Sequence, residues 1–185
     1  IDLPEGSCID LTGYQNFDDY IASLSSKSRS HIRKDVLSYQ QDFDIQYQGK
    51  LCLADLQQVY SLYSNVQQAN TAFNNIIFPY SLFLQMNEHP DFEFILCYAK
   101  TNDHPLIGFG CCHLGARSYQ GMLLGMDYAY KHLKTYKQIL YQAVKRGHML
   151  EKELVHLGLT ANTEKRKLGA QLLPRVGFLQ SDSNY

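Results

Sequence analysis

A chain of 185 residues with 45% hydrophobic content fits one domain and buries enough apolar surface to exclude disorder. The formal net charge of -1 leaves no molecule-wide field to draw in nucleic acid or an anionic membrane, so anion binding has to come from a local cluster. The five cysteines are odd in number and lack zinc-site spacing; adjacent Cys111 and Cys112 point to opposite faces of a strand, and all five read as small buried residues of a reducing compartment. With no secretory signal at Ile1 and no apolar run long enough to cross a bilayer, the expected setting is cytoplasmic. Residues 1–185 read as a single domain, either complete or excised from a longer tandem chain.

The first sixteen residues read as an extended lead-in that turns at Thr12-Gly13. Asn16 is placed to cap a short helix over 17–24. Ser25-Ser26 then opens a second helix over 27–41, basic and polar, with Lys27, Arg29, His31, Arg33 and Lys34. Phe43, Ile45 and Tyr47 alternate with Asp44 and Gln46, the period of a half-buried strand. Leu56, Val59, Tyr60, Leu62, Tyr63 and Val66 fall at helical spacing and give one apolar stripe over 53–69. Residues 70–78 carry no clear pattern, and Pro79 opens a further helix through 86.

Three strands follow in close order. Residues 92–100 alternate, Asp103-His104-Pro105 makes the turn, and 106–114 is so uniformly apolar that it reads as a central strand covered on both faces. Residues 117–121 turn the chain into a third strand over 122–128. A helix over 135–145 puts Tyr136, Ile139, Leu140, Ala143 and Val144 on one face, and Arg146-Gly147 reads as its stop signal. A strand over 153–159, a short helix over 163–168 ended by Gly169, and a last strand over 172–179 complete the chain. The strand–helix–strand unit around 135–145 demands a parallel pair inside an otherwise antiparallel sheet.

Two stretches carry a resemblance. Leu24-Ser25-Ser26-Lys27-Ser28-Arg29-Ser30-His31-Ile32-Arg33-Lys34 resembles the basic opening helix of the Fem-like branch of the GNAT acyltransferases, which includes peptidoglycan-type aminoacyltransferases. The stretch from Tyr141 to Gly169, with Arg146-Gly147-His148, Leu157-Gly158-Leu159-Thr160-Ala161, then Lys165, Lys167 and Leu168-Gly169-Ala170, is similar to the ending of that group. The two bracket residues 24–178. The resemblance implies a mixed α/β (α+β) fold of GNAT type: a mostly antiparallel sheet, helices on both faces, and one parallel strand pair at a central splay. It implies an N-acyltransferase that moves an acyl group from an activated donor to a small-molecule or peptide amine by direct attack. The junction 127–135 departs from the glycine-rich turn that binds pyrophosphate in acetyl-CoA-dependent members, since it holds no glycine. Acetyl-CoA or another acyl-CoA therefore shares the donor role with aminoacyl-tRNA, the one route by which nucleic acid enters.

Mapped onto the resemblance, the acyl group lies between strands 122–128 and 153–159. Asp127 at the end of the first is a candidate base for the amine, its plain alternative being a cap on the following turn. His113 is a second candidate base, or else a buried, hydrogen-bonded histidine. Tyr128, Lys131, Lys134, Thr135 and Tyr136 stand where donor phosphates would sit, and Lys165 matches the closing motif; each is also an ordinary residue for a solvated loop or short helix. His89, His104, His148 and His156 are dispersed without metal-ligand spacing, so no metal is expected. The basic helix spreads its charge over more than one face, as a solvated helix does. From another class, a non-catalytic GNAT-fold module recognising a peptide or cell-wall precursor would have the gap closed by Met126 or Tyr128.

Overall fold

The computed structural model describes residues 2–69 and 76–177; the end of the expected last strand, Phe178 and Leu179, and the unassigned 70–75 lie outside them. The chain runs β1 (Asp2–Asp10), α1 (Phe17–Ser23), α2 (Ser26–Asp35), a 3-10 helix (Leu37–Asp42), β2 (Phe43–Gln48), α3 (Leu53–Ala69) and α4 (Tyr80–Glu88). It continues β3 (Phe92–Ala99), β4 (Leu106–Leu114), β5 (Ser118–Met126), a second 3-10 helix (Tyr128–Leu133), α5 (Thr135–Met149), β6 (Leu154–Leu159), α6 (Asn162–Lys167) and β7 (Gln171–Val176). Asn16 caps α1, accepting from the Asp19 amide at 2.8 Å, and Ser25 caps α2, accepting from the Ser28 amide at 3.1 Å. These side chains satisfy amides that the helix itself leaves without a partner.

One seven-stranded sheet takes the order β2-β3-β4-β5-β6-β1-β7. Every neighbouring pair is antiparallel except β5 and β6. The expected lead-in is thus a strand: β1 lies between β6 and β7 and separates two strands adjacent in sequence. Alternation along β3 feeds both faces. Ile95, Cys97 and Ala99 join Ile139, Leu140, Ala143 and Val144 of α5 in one core, while Phe94 and Leu96 join Leu56, Val59, Phe83 and Met86 of α3 and α4 in the other. α3 sits directly on β5, because a Cβ on Gly125 would fall 2.5 Å from the backbone of Leu62 and Tyr63.

Gly147 does not stop α5, which continues to Met149. It lies against the sheet, where a Cβ would come within 2.4 Å of Val155. The residue before it, Arg146, fastens the same helix to three strands. Its Nε donates to Glu93 Oε1 at 3.0 Å and its Nη2 to Glu93 Oε2 at 2.5 Å, while the Tyr119 hydroxyl donates to Glu93 Oε1 at 2.8 Å. The guanidinium also stands 4.7 Å over the Tyr47 ring, a favourable cation–π contact. Glu93 is buried at 6% exposure, so its carboxylate takes its hydrogen bonds from these partners. Arg146→Ala leaves that carboxylate buried with only Tyr119, and urea unfolding is expected to show a loss of about 3–5 kcal/mol; a loss within about 0.5 kcal/mol, normal for a surface site, contradicts the anchor.

Candidate active site

β5 and β6 pair over three rungs only: Ser118 with Leu154, Tyr119 with Val155, and Gln120 with His156. Beyond them β5 follows β4 as far as Met126, and β6 follows β1 as far as Leu159. The parting coincides with two bulges. On β5, Gly121 and Leu123 face the consecutive residues Cys112 and Cys111, which makes Met122 the extra residue. On β6, His156 and Leu159 face Cys8 and Gly6, which leaves one extra residue in the stretch containing Gly158. Gly158 has φ +75°, the left-handed conformation a glycine adopts without a Cβ penalty. A bulge bends and twists its strand, so bulges on neighbouring strands at one level open a gap between them. At its apex the strands nearly touch, a Cβ on Gly158 falling 3.5 Å from the Gly121 carbonyl oxygen.

From Gly121 to Met126 the open edge of β5 extends roughly 16 Å at about 3.3 Å per residue. At its outer end the Met126 carbonyl accepts from Asn65 Nδ2 at 3.3 Å; other backbone groups along such an edge need a side chain, water or a ligand as partner. Met122 and Leu159 are 52% and 40% exposed beside the gap, giving it an apolar lining.

At the mouth, Asp127 Oδ1 accepts from the Ala129 amide at 2.9 Å and caps the second 3-10 helix. Lys134 then takes a left-handed φ of 61° and starts α5 with no side-chain cap and no acidic residue in the first turn. Unneutralised in this way, a helix N-terminus favours an anion. Thr135 is buried there, its hydroxyl without a partner among the described residues. Burial and the neighbouring Glu164 push the Tyr136 phenol up to about 12. Across the gap, Thr160 and Ala161 are also left-handed, with φ 61° and 49°. Non-glycine residues in this conformation store strain and cluster at functional sites; here they flank both sides of the opening. Lys165, 2% exposed, donates to the Leu159 carbonyl at 2.7 Å. Desolvation, then the Arg175 charge, lowers its pKa to about 8.

Ion pairs tie the two sides together from below. Lys137 on α5 lies 2.7 Å from Asp35 on α2 and 3.5 Å from Glu164 on α6, and His31 bridges the same carboxylates at 2.9 and 3.3 Å. Burial, followed by Lys137 and Lys167, lowers the His31 pKa. Arg29 donates to the carbonyls of Ala22 and Leu24, and the Tyr20 hydroxyl donates to the Leu168 carbonyl. The basic helix thus reaches α1 through Arg29 and α6 through His31, with Lys27, Arg33 and Lys34 left exposed.

Of the residues singled out from the sequence, Asp127, Tyr128, Lys131, Lys134, Thr135 and Tyr136 come together at the mouth, and Lys165 stands across from them. His113 lies on β4, opposite Gln120, with its ring 5.3 Å from that of Phe92; one strand separates it from the gap. Met122 breaks no local pattern and His156 lacks the spacing of a metal site, so neither stands out in the sequence. Gly158 was legible as part of a motif without its reason. Among the described residues no group of three or more His, Cys, Asp or Glu is placed to hold a metal ion, and no helix is long and apolar enough to cross a membrane.

A sheet split beside one parallel pair, with helices on both faces and a bare helix start at the mouth, is the GNAT acyltransferase fold. The sequence matches the FemAB-like family model, described as peptidoglycan biosynthesis/recognition, over residues 8–166; the chain belongs to that family. The crystal structure of FemX superposes with a TM-score of 0.71 at 11% identity, covering 93% of this chain and 60% of FemX. L-PGS from Bacillus licheniformis gives 0.65 at 10% identity, covering 93% of this chain and 58% of that one. An aminoglycoside acetyltransferase, meta-AAC0020, from an uncultured soil metagenomic sample and solved with sisomicin, gives 0.56 at 11% identity over 78% of this chain and 99% of its own. At these identities the likeness is one of fold, and the chain spans less than two thirds of FemX or L-PGS. A search of curated proteins finds no match.

The depressed Lys165 ammonium sets a pH dependence. In the unfolded chain it keeps its proton to about pH 10.5, and in the folded one to about 8. Between these values the unfolded state binds more protons, so this residue's contribution to stability rises with pH; below about 8 both states are protonated and it is flat. Urea unfolding of wild type and Lys165→Met at pH about 7 and about 9.5 is expected to show wild type gaining on the variant at the higher pH. A difference independent of pH contradicts the depressed pKa.

Proposed function

We propose that the chain catalyses transfer of an acyl group from an activated donor to an amine, by direct attack in the gap between β5 and β6. The observation that carries this reading is the edge of β5 that β6 leaves open beyond Gln120, with the bare N-terminus of α5 at its far end. An extended donor with phosphates at one end and a reactive carbonyl at the other fits that layout. Its phosphates lie over the start of α5, among Tyr128, Lys131, Lys134, Thr135 and Tyr136, with Lys165 across the gap. Its arm runs along β5 and exchanges hydrogen bonds with the free edge. Its carbonyl reaches the apex, where backbone amides at the Met122 bulge stabilise the oxyanion that forms on attack. Asp127, just after β5 and through the carboxylate oxygen not used in capping, and His113 on β4, acting across β5 through water, are the proposed proton acceptors. Positioning and preorganised amides supply the rate, and no covalent enzyme intermediate is formed.

Acyl-CoA and aminoacyl-tRNA both have this donor chemistry. Membership of a family described by peptidoglycan biosynthesis favours an aminoacyl-tRNA donor and an amine on a peptidoglycan precursor as acceptor, in a cytoplasmic setting. The non-catalytic alternative needs a closed gap. Tyr128, at 38% exposure, stands at the rim, and the lining residues Met122 and Leu159 are open to solvent, which favours catalysis.

Thermal and urea unfolding with acetyl-CoA, a longer acyl-CoA and an aminoacyl-tRNA tests the reading. The true donor at a hundred times its Kd is expected to stabilise the fold by about 2.7 kcal/mol, and Lys134→Ala to weaken its binding by roughly tenfold. No stabilisation by any CoA-borne or tRNA-borne donor contradicts it.

A further inference from the structure

Val155 and Leu157 are buried in the core beneath α5. Alternation along β6 therefore turns His156 to the opposite face of the sheet. It stands on a rung that runs Phe92, His113, Gln120, His156, Cys8, Gln171 across β3, β4, β5, β6, β1 and β7. This is the last rung on which β5 and β6 are joined, so the imidazole stands at the apex, at the end of the open edge furthest from the mouth. A donor anchored by its phosphates at the start of α5 presents its carbonyl here.

The ring is half-buried, yet its Nδ1 is sealed from solvent without a hydrogen-bond partner among the described residues. Buried polar atoms are seldom left unpaired, and an exception calls for a ligand or a chemical role. Burial first, then the Arg175 charge on β7, lowers the His156 pKa, so the imidazole is neutral near pH 7. The other titratable groups around it are the Cys8 thiol on β1, raised by burial and by Asp10, Lys165 on α6, lowered by burial and by Arg175, and His113 two strands away on the same face. None of them forms an ion pair or hydrogen bond with the ring among the described residues, in contrast to Asp127, which caps a turn.

We propose that His156 is a catalytic base and acid of the acyl-transfer step, a role that rests on the acyltransferase reading above. An acceptor amine arrives as an ammonium and loses two protons. The first leaves before attack, to Asp127 at the mouth. The nitrogen lone pair then forms the C–N bond, giving a tetrahedral adduct with an oxyanion and a positively charged nitrogen. His156 takes the second proton from that nitrogen. The oxyanion re-forms its C=O bond, the C–S or C–O bond to the carrier breaks, and the imidazolium gives its proton to the departing sulfur or oxygen. His156 ends neutral, as it began, and one proton passes from Asp127 to solvent. Arg175 makes the imidazolium a stronger acid, which favours return of the proton to the leaving group.

Two measurements test this on the whole protein. Diethyl pyrocarbonate labelling with peptide mass mapping should carbethoxylate His156, with a pH midpoint below 6.5 that rises in Arg175→Gln; an unlabelled His156 has no available nitrogen and overturns the proposal. Turnover of a donor that wild type accepts should fall about 100-fold or more in kcat for His156→Gln and His156→Asn. The donor KM should stay near wild type, and added imidazole should restore part of the rate. Wild-type kcat in both variants overturns the role of His156 and leaves the acyltransferase reading standing. If wild type turns over no acyl donor, the reading itself fails and the proposal fails with it.

Discussion

A parallel strand pair that stops after three rungs is the constraint around which the rest of the molecule is arranged. Interior strands ordinarily stay paired, because every unpaired N–H and C=O within a sheet needs another partner. Here the Met122 bulge on β5 and the Gly158 bulge on β6 bend the two strands apart at one level. β6 has to return from α5 parallel to β5, while its other edge is already held by β1. The result is a slot through the centre of the sheet, narrow at Gly121 and Gly158 and wide at Asp127 and Lys134.

Opening the centre of a sheet removes rungs that would otherwise hold its halves together, and contacts on the helices compensate. On one side, Arg146 of α5 joins Glu93 and Tyr119 in a hydrogen-bonded group within the core. At the mouth, Lys137, Asp35, His31 and Glu164 tie α5 to α2 and α6. The first group is buried enough that breaking it is costly. The second is more exposed and so contributes less to stability, but it fixes the start of α5 relative to α6, the two elements that flank the slot. Rigid flanks allow the left-handed Lys134, Thr160 and Ala161 to persist.

Much of this frame was readable because local periodicity and connectivity determine it. Alternation in β2 and β3, the apolar run of β4 and the helical stripe of α5 reflect burial directly, and the crossover helix forces a parallel pair. β1 reads as a lead-in because Pro4 and Gly6 interrupt its alternation and its pairing partners lie roughly 145 to 175 residues away. Gly147 looked like a terminator, although its role is close packing against Val155. The mouth residues were legible through resemblance to a family. The apex was not, because His156 gains its position from register, and register depends on two bulges that leave no local signature. Even the glycine of Leu157-Gly158-Leu159 acquires a reason only when its φ is known.

The account stands on the slot being the place where the donor lies. Amide hydrogen exchange, with and without a saturating acyl-CoA or aminoacyl-tRNA, measures that directly. The account predicts that those amides of residues 121–126 and 157–159 that face the slot exchange readily in the free protein and are slowed on binding, together with those that open α5. Protection confined to the surface groove formed by Leu11, Thr12, Gly13, His148 and Glu153, with the slot unchanged, would place the ligand elsewhere and contradict it.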